Sequence, residues 1–546
     1  MKYRIGIARD RSGPYVAGFV LAFLLFGGAC APKTPPVTIP PPALPSVGTP
    51  ARRPEPVPSP VAVPPVAPAS DRVDALRTEL RQIFDAPMFD RMQWAVVVQS
   101  LTSGETVYSE NASKLLMPAS NMKIVTLAAA AERLGWDFTY ETRLLTAGPV
   151  AHGVLAGDLI AVGSGDPTIG GRGGSATRVF EAWADQLRAD GLTEIKGRIV
   201  ADARAFDRES LGAGWAWDYL ASGYAAGVSA LQFNESVADV AIHPGPSAGA
   251  PAVIEVRPIE SGLVLDTHVT TVATGDADLD FSRLPGSNRL VVRGTIPAGS
   301  KEVVRAAAVD RPALYFARML RATLIARGIR VTGGAGEFED VYPVAPAAPM
   351  RVLLSHRSAP LAEVARVLMK VSQNQYAETL LRTLGAQSGP GTAAAGQKVV
   401  REVLDGWGVP QDAYVLADGS GLSRYNYVCA EMLVRILRQM YRDPRHREPF
   451  MVALPIGGQD GTLARRFVGT RATENVHAKT GSIANVRALS GYVTTLDGEP
   501  VAFSILANHF TVPQATIDAA TDLALERLAN FTRKPAVKNP AHEFDH

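Results

Sequence analysis

The spacing of apolar residues indicates a helix and a hairpin at the start of the globular part of the chain. Apolar side chains recur at helical intervals over residues 71–84, which predicts a helix capped by Ser70 or Asp71. A strand is predicted over 93–101, followed by a turn and a short partner strand over 105–109. The globular part is therefore predicted to begin with a helix and two antiparallel strands.

A second hairpin and a final helix are predicted at the other end of the chain. Residues 487–495 and 500–508 are strand-like and flank Leu496-Asp497-Gly498-Glu499, an Asp-Gly turn of the kind that closes hairpins. Helical spacing follows over 513–531. Because both ends carry antiparallel strands and a helix, we expect one α/β layer domain that both ends complete, an antiparallel sheet with flanking helices.

The middle of the chain has a different pattern. Helices are predicted over 178–189 and 313–327, and they flank strand-like segments such as 197–203. Between 237 and 296 almost every apolar run is strand-like and is broken by Gly, Pro or Asp. We therefore predict that a large insertion interrupts the layer domain: an α/β domain with an all-β domain nested inside it.

These patterns divide the chain into predicted segments. They are 1–30, an export signal; 31–70, a linker; 71–148, the first part of the layer domain; 149–236, the first part of the insertion; 237–299, the nested β domain; 300–350, the second part of the insertion; 351–533, the second part of the layer domain; and 534–546, a disordered tail.

The first thirty residues are typical of an export signal. Basic residues precede an apolar run of 12 residues, 15–26, and small residues follow it. That run is too short to cross a hydrocarbon core of about 30 Å, so we predict export rather than a membrane span. Cys30, after Gly-Ala, fits the lipidated cysteine of a bacterial lipobox, and cleavage after Ala29 or Ala31 is the alternative. We expect the mature protein in the periplasm or cell envelope, with the membrane reached only through this lipid anchor.

The segment that follows is predicted to be a spacer. Residues 31–70 contain 15 of the 40 prolines and few large apolar side chains, so they cannot bury a core. An extended proline-rich chain reaches roughly 3.1 Å per residue and would tether the globular part to the anchor.

Composition and charge exclude several classes of function. In a chain of 546 residues, 55 Lys and Arg nearly cancel 53 Asp and Glu, and nothing in the net charge of +2 indicates a nucleic acid partner. Two cysteines, Cys30 and Cys429, exclude a disulfide framework and a multi-cysteine metal site. His542 and His546, four residues apart, stand in a polar tail that we assign to disorder. We therefore predict no metal and no cofactor.

The first candidate chemical group is Ser120-Asn121-Met122-Lys123, which precedes an apolar run. Positions i and i+3 of a helix share a face, so the Ser120 hydroxyl and the Lys123 amine can lie within hydrogen-bond distance. A helix N-terminus favours developing negative charge, and a buried lysine that loses its proton can act as a base. The pair therefore predicts a serine nucleophile activated by a lysine.

Two further segments offer groups that such a nucleophile needs. Ser372-Gln373-Asn374 carries a hydroxyl able to relay a proton and an amide able to donate and accept. A second Ser-x-Asn, Ser109-Glu110-Asn111, lies at a predicted hairpin end, and we assign it to a turn. Lys479-Thr480-Gly481-Ser482 precedes the last hairpin; on an edge strand it would supply a positive charge, a hydroxyl for a carboxylate and a close backbone approach for an extended substrate.

These three motifs in this order are typical of serine β-lactamases and penicillin-binding proteins. With 248 residues between Lys123 and Ser372, the chain resembles the class C low-molecular-mass penicillin-binding proteins, the D-alanyl-D-alanine carboxypeptidase/endopeptidases, over roughly residues 72–532. Further stretches that resemble this family are 163–168, 224–235, 418–424 and 460–463. Gln373 departs from the family, which usually has Asn or Asp there.

The resemblance implies a penicillin-binding protein fold and acyl transfer on peptidoglycan stem peptides. It implies that Ser120 attacks the carbonyl between the last two D-alanines while Lys123 takes its proton, and it leaves open whether Lys123 or Lys479 is the effective base. The other implied catalytic residues are Ser372, Asn374 and Lys479, and the implied substrate-binding residues are Thr480, Gly481 and Ser482, with the NH groups of Ser120 and Ser482 forming the oxyanion hole. β-Lactams would acylate Ser120 and remain bound.

Two other functions stay open from the sequence. A non-catalytic wall-binding scaffold on the same fold is suggested by the insertion and the linker. A serine β-lactamase would differ in how quickly its acyl-enzyme is hydrolysed.

Overall fold

A computed structural model of the chain describes residues 69–344, 350–387 and 389–534. The predicted export signal with Cys30, the linker up to residue 68 and the tail from residue 535 lie outside these ranges. None of the helices within them combines the length and the hydropathy of a transmembrane segment.

The described residues form twenty-two strands, numbered in chain order. They are β1 Gln93–Ser100, β2 Thr106–Glu110, β3 Glu141–Thr146, β4 Val150–Ala151, β5 Val154–Leu155, β6 Leu159–Gly163, β7 Glu194–Ile195, β8 Ile199–Asp202, β9 Val237–His243, β10 Val253–Arg257, β11 Val264–Val272, β12 Asp278–Ser282, β13 Arg289–Pro297, β14 Val303–Ala308, β15 Arg330–Val331, β16 Ala335–Glu337, β17 Arg351–Arg357, β18 Tyr414–Val415, β19 Tyr427–Val428, β20 His477–Ile483, β21 Val486–Thr494 and β22 Pro500–Asn508.

The same ranges contain eleven α-helices. They are α1 Ala69–Phe84, α2 Met122–Leu134, α3 Arg178–Ala189, α4 Pro312–Ala326, α5 Phe338–Val341, α6 Leu361–Lys370, α7 Asn374–Gly385, α8 Ala393–Gly406, α9 Ala430–Arg442, α10 Pro444–Ala453 and α11 Gln514–Asn530.

The two ends of the chain share one antiparallel sheet, in the order β2-β1-β22-β21-β20. Successive side chains of a strand point to opposite faces, and β1 shows the consequence. Trp94, Val96 and Val98 lie in the core with α1 and α11, whereas Ala95 and Val97 lie in the core with α2 and α6–α9. The predicted α/β layer domain with an antiparallel sheet is confirmed, and its predicted elements are found within two residues of their expected ends.

Helix α2 lies in the centre of the layer that covers one face of this sheet. Its residues 122–131 are all buried, and all but Lys123 and Thr126 are apolar. A helix that is apolar on every side is a core helix, since no face of it can be left to water. The amine of Lys123 is therefore carried into the interior by its position on α2.

The insertion contains two sheets and the helices that pack on them. A five-stranded sheet has the order β16-β8-β6-β3-β17, and a smaller one has the order β15-β7-β5-β4. Strands β3 and β17, which border the insertion in sequence, are paired with each other at the edge of the larger sheet. The pairing places residue 141 opposite residue 357, so the chain enters and leaves the insertion at neighbouring positions.

The nested β region consists of two three-stranded sheets, β10-β9-β14 and β11-β13-β12. Strand β14 pairs antiparallel with β9, so a strand beyond residue 299 completes the first sheet. In the second sheet β11 and β13 run parallel. The segment boundaries given above remain predictions.

Candidate active site

Ser120 stands in a tight turn directly before α2. The turn is a 3-10 helix over Ala119–Asn121, and Ala119 has a φ of 45°, a left-handed conformation that costs a non-glycine residue about 1–3 kcal/mol. The side-chain amide of Asn121 donates to the Lys479 carbonyl oxygen at 2.9 Å and ties this turn to strand β20. The strained turn leaves the Ser120 side chain partly exposed at the helix N-terminus.

Lys123 follows one helical turn later and has no exposed surface. Its Nζ contacts three oxygens: Ser120 Oγ at 2.9 Å, Asn374 Oδ1 at 2.6 Å and the Ser420 carbonyl oxygen at 2.7 Å. The carbonyl oxygen of Ser420 and Oδ1 of Asn374 can only accept, whereas a hydroxyl can also donate. When Lys123 is neutral, its two N–H bonds remain with the two acceptors, and its lone pair faces Ser120 Oγ.

The orientation of Asn374 is fixed by its other contact. Its Nδ2 donates to the carbonyl oxygen of Tyr224 at 2.7 Å. Because that partner can only accept, the amide must present Oδ1 to Lys123.

The environment of Lys123 favours the neutral amine. Burial lowers the pKa of Lys123 from 10.5 to about 7, although the carboxylates of Asp418 and Glu378 act in the opposite direction. A substantial fraction of Lys123 is therefore free to accept a proton at neutral pH.

Lys479 forms a second buried amine at the same site. It has no exposed surface, and its Nζ donates to Ser372 Oγ at 2.8 Å and to the Thr480 carbonyl oxygen at 2.8 Å. Burial lowers the pKa of Lys479 well below 10.5, and the nearby charge of Lys123 lowers it further. Ser372 itself has a φ of 62°, so a second strained non-glycine residue lies at this site.

Strand β20 forms the edge of the central sheet and lies directly against the Ser120 turn. A Cβ on Gly481 would lie 2.7 Å from the Pro118 carbonyl oxygen and 3.1 Å from the Ser120 nitrogen, so only glycine allows this approach. Thr480 is partly exposed and its hydroxyl donates to Thr462 Oγ1 at 2.7 Å, while Ser482 is exposed and its hydroxyl accepts from Arg487.

The structure thus places the sequence-predicted residues in two groups, and the members of each group contact one another. One consists of Ser120, Lys123 and Asn374, and the other of Ser372, Lys479 and Thr480. The groups are joined through the short segment 372–374 and through the hydrogen bond from Asn121 to Lys479.

Comparison with known proteins identifies the family of the chain. The family model described as "D-Ala-D-Ala carboxypeptidase 3 (S13) family" matches residues 76–528. The chain belongs to this S13 family. It is 34% identical over 490 residues to a D-alanyl-D-alanine carboxypeptidase of Actinomadura sp. (strain R39), an alignment that covers 86% of this chain and 87% of the relative. It is 27% identical over 425 residues to the D-alanyl-D-alanine carboxypeptidase DacB of Haemophilus influenzae, covering 76% of this chain and 85% of the relative.

Solved structures give the same result for the fold. A crystal structure of penicillin binding protein 4 (dacB) from Haemophilus influenzae matches with a TM-score of 0.73 at 25% identity, covering 83% of this chain and 99% of that chain. The same protein complexed with a β-lactam matches with a TM-score of 0.68. The predicted family, fold class and D-Ala-D-Ala carboxypeptidase activity are confirmed, and neither the scaffold nor the β-lactamase is favoured.

The 418–424 stretch, which resembles the family in sequence, has a role at the site that its sequence alone does not show. The Asp418 carboxylate accepts from the NH groups of Gly421 and Ser423 at 2.7 Å each and folds the 418–423 segment into a turn. This turn supplies the Ser420 carbonyl oxygen that contacts Lys123. The Asp-Gly-Ser-Gly sequence signals a turn, but only the fold shows which side chain it meets.

A residue of the predicted insertion contacts the Ser-x-Asn segment. Gln373, the residue that departs from the family pattern, donates from Nε2 to Glu235, and Arg172 holds the same carboxylate at 2.9 Å. Glu235 is the middle of three consecutive residues with positive φ, 234–236. In the described residues, Gln373 therefore contacts the insertion rather than either buried amine.

Metal-ligating side chains cluster elsewhere in the described ranges. The two clusters there are Glu132 with Asp443 and His446, and His243 with Glu255 and Glu302. Neither includes a predicted site residue. Cys429, predicted to be a buried small residue, is buried directly before α9.

Proposed function

We propose that this S13 carboxypeptidase acts through an acyl-enzyme on Ser120 and cleaves both terminal D-alanine and D-alanine cross-links of peptidoglycan. The observation that carries the proposal is the three-oxygen environment of Lys123, which directs the amine lone pair toward Ser120 Oγ. The other site residues then have the following roles.

Acylation begins when Lys123 accepts the Ser120 hydroxyl proton and Ser120 Oγ attacks the carbonyl carbon between the last two D-alanines. The tetrahedral intermediate carries its negative charge on the former carbonyl oxygen. The NH groups of Ser120 and Ser482 stabilise this oxyanion, a contribution of on the order of 3 kcal/mol per donor. The close approach of Gly481 to Ser120 supports this arrangement, because it brings strand β20 against the nucleophile.

Collapse of the intermediate breaks the C–N bond, and the leaving amine needs a proton. Ser372, hydrogen-bonded to Lys479 at 2.8 Å, relays to this amine the proton that Lys123 took from Ser120, so Lys123 becomes neutral again, and Asn374 keeps the Lys123 amine in place. Water then attacks the ester carbon and gives its proton to Lys123, and Lys123 passes that proton to Ser120 Oγ as the acyl bond breaks, which regenerates Ser120.

The Thr480 hydroxyl binds the substrate carboxylate, and the Lys479 amine, buried directly beside it, attracts the carboxylate by its charge. A positive charge and a partly exposed hydroxyl on neighbouring residues of an edge strand match a terminal carboxylate beside an extended peptide. A β-lactam presents a strained amide beside a carboxylate and binds in the same way. Endopeptidase activity follows the same route, because a cross-link also places D-alanine on the acyl side and differs only in its leaving amine.

The sequence supports export of this enzyme to the periplasm or cell envelope, with Cys30 as a lipid anchor and 31–70 as a spacer. Its partners there are peptidoglycan stem peptides and, as covalent inhibitors, β-lactams. No nucleic acid partner is expected.

Two substrates test the proposal: a stem pentapeptide, assayed for D-alanine release, and a cross-linked muropeptide dimer, assayed for monomer. We expect the wild type to act on both and Ser120→Ala on neither. Exposed Ser113 provides the matched control, and Ser113→Ala is expected to keep both activities. Equal rates for wild type and Ser120→Ala would refute the acyl-enzyme, and cleavage of the pentapeptide alone would refute the endopeptidase part.

A further inference from the structure

A fully buried carboxylate that the proposed mechanism does not use lies next to the Lys123 site. Asn374, Glu378 and Arg382 follow at four-residue intervals on α7 and therefore share one face of the helix. Glu378 has no exposed surface and Arg382 is 1% exposed. Charged groups are almost never this deeply buried unless a specific arrangement requires them.

Glu378 holds the turn that contacts Lys123. Its Oε1 accepts from the NH groups of Gly419 and Ser420 at 3.0 and 2.8 Å. From the other side, residues of α2 donate to the carbonyl oxygens of the same two residues, Thr126 to Gly419 at 2.7 Å and Lys123 to Ser420 at 2.7 Å. The turn is therefore held from two sides: its NH groups donate to Glu378 of α7, and its carbonyl oxygens accept from residues of α2.

The direction of the Ser420 carbonyl matters for the amine. Lys123 Nζ has three hydrogen-bonding positions. The Ser420 carbonyl oxygen and Asn374 Oδ1 occupy two of them, and the third faces Ser120 Oγ. A rotation of the turn would free an N–H of Lys123 to point at Ser120 and would turn the lone pair away.

We propose that Glu378 is a positioning residue for Lys123: its buried carboxylate fixes the 418–420 turn, so that the Ser420 carbonyl oxygen orients the amine, and supplies a counter-charge to the ammonium. The inference rests on the proposed function, in which neutral Lys123 activates Ser120. Arg382 completes the arrangement, with Nη1 3.7 Å from Glu378 Oε2 and Nε 3.6 Å from Asp207 Oδ1.

The charges around Lys123 are consistent with this geometry. The groups that face Lys123 are Ser120 on its own turn, Asn374 and Glu378 on α7, Asp418 and Ser420 on the turn, and Lys479 on β20. Glu378 and Asp418 raise the pKa of Lys123 against the effect of burial. Burial raises the pKa of Glu378 to about 7, which Arg382 opposes. Loss of the Glu378 charge is therefore expected to lower the pKa of Lys123.

The test is the pH profile of β-lactam acylation in the folded protein. In Glu378→Gln the amide oxygen still accepts from both NH groups while the charge is lost, so we expect the acid limb to move to lower pH by at least about half a unit. Glu378→Asp keeps the charge but is one methylene too short, so we expect the plateau to fall at least about tenfold. Thr383→Val, a buried near-isosteric change on the same helix that contacts Tyr140, is the control and should leave both features unchanged.

Uncompensated Arg382 could prevent Glu378→Gln from folding, and the double variant E378Q/R382M then removes both charges and should show the same shift. The proposal is overturned if a folded variant without the Glu378 charge lowers the rate equally at every pH, or if Glu378→Asp acylates at the wild-type plateau. Penicillin labelling of Ser120→Ala would instead refute the proposed function itself, so the two failures are distinguishable.

Discussion

Gly421 offers a direct test of whether the turn formed by residues 418–423 sets the position of Ser120. Its φ is 83°, and a Cβ there would lie 1.8 Å from the Ala119 carbonyl oxygen, where real Cβ contacts require about 3.0 Å. In Gly421→Ala the turn and the residue before Ser120 must therefore separate by more than about 1 Å. A displacement of this size at a reacting group costs about a hundredfold in rate, in addition to about 1–2 kcal/mol of stability for a left-handed alanine.

Gly498 provides the matched control, because its φ is 82° and nothing lies within 4 Å of a Cβ there. Gly498→Ala should lose about 1–2 kcal/mol of stability by thermal unfolding and keep the wild-type rate of acylation by a fluorescent penicillin. Gly421→Ala should lose at least as much stability and should also be acylated more slowly. Equal acylation by the two variants would refute the claim that the turn sets the position of Ser120.

Three other predictions concern the remaining site residues and the anchor. Acylation by a reporter β-lactam should rise with pH through about 7, because Lys123, whose pKa burial lowers to about 7, accepts a proton only when neutral; a rate constant that does not change between about pH 5 and 8 would argue against this base. Ser372→Ala should lower acylation by about a hundredfold or more, whereas Ser109→Ala, in the other Ser-x-Asn sequence, should acylate normally; similar losses would mean that Ser372 has no special role. Full-length protein expressed in a bacterium should incorporate labelled fatty acid, and Cys30→Ala should not; incorporation by both would exclude Cys30 as the lipidated residue.

The elements that the sequence predicts well are those with a strong local signal. The apolar runs of β1 and β22, the Asp-Gly turn at residue 498 and the helical spacing of α11 each specify an element without reference to the rest of the chain. The strands of the nested β region are harder to predict from the sequence. Strand β12 has only two apolar residues, and β14 pairs with β9 across about sixty residues, a partnership that no local pattern encodes.

The candidate site divides in the same way. Ser120, Lys123, Ser372 and Lys479 stand in recognisable motifs, and the expected contact of Ser120 with Lys123 follows from helical spacing alone. Ser420 acts through its backbone, which carries no residue-type signal. Glu378 is an ordinary helix residue in sequence, and its importance appears only when α7 packs against the turn.

The central claim is that Ser120 is the group that becomes acylated. Peptide mapping by mass spectrometry of the protein after reaction with a β-lactam measures this directly. The account predicts one adduct, on the peptide that contains Ser120, and none in Ser120→Ala. An adduct on any other residue, or an unmodified Ser120 peptide after complete labelling, would contradict it.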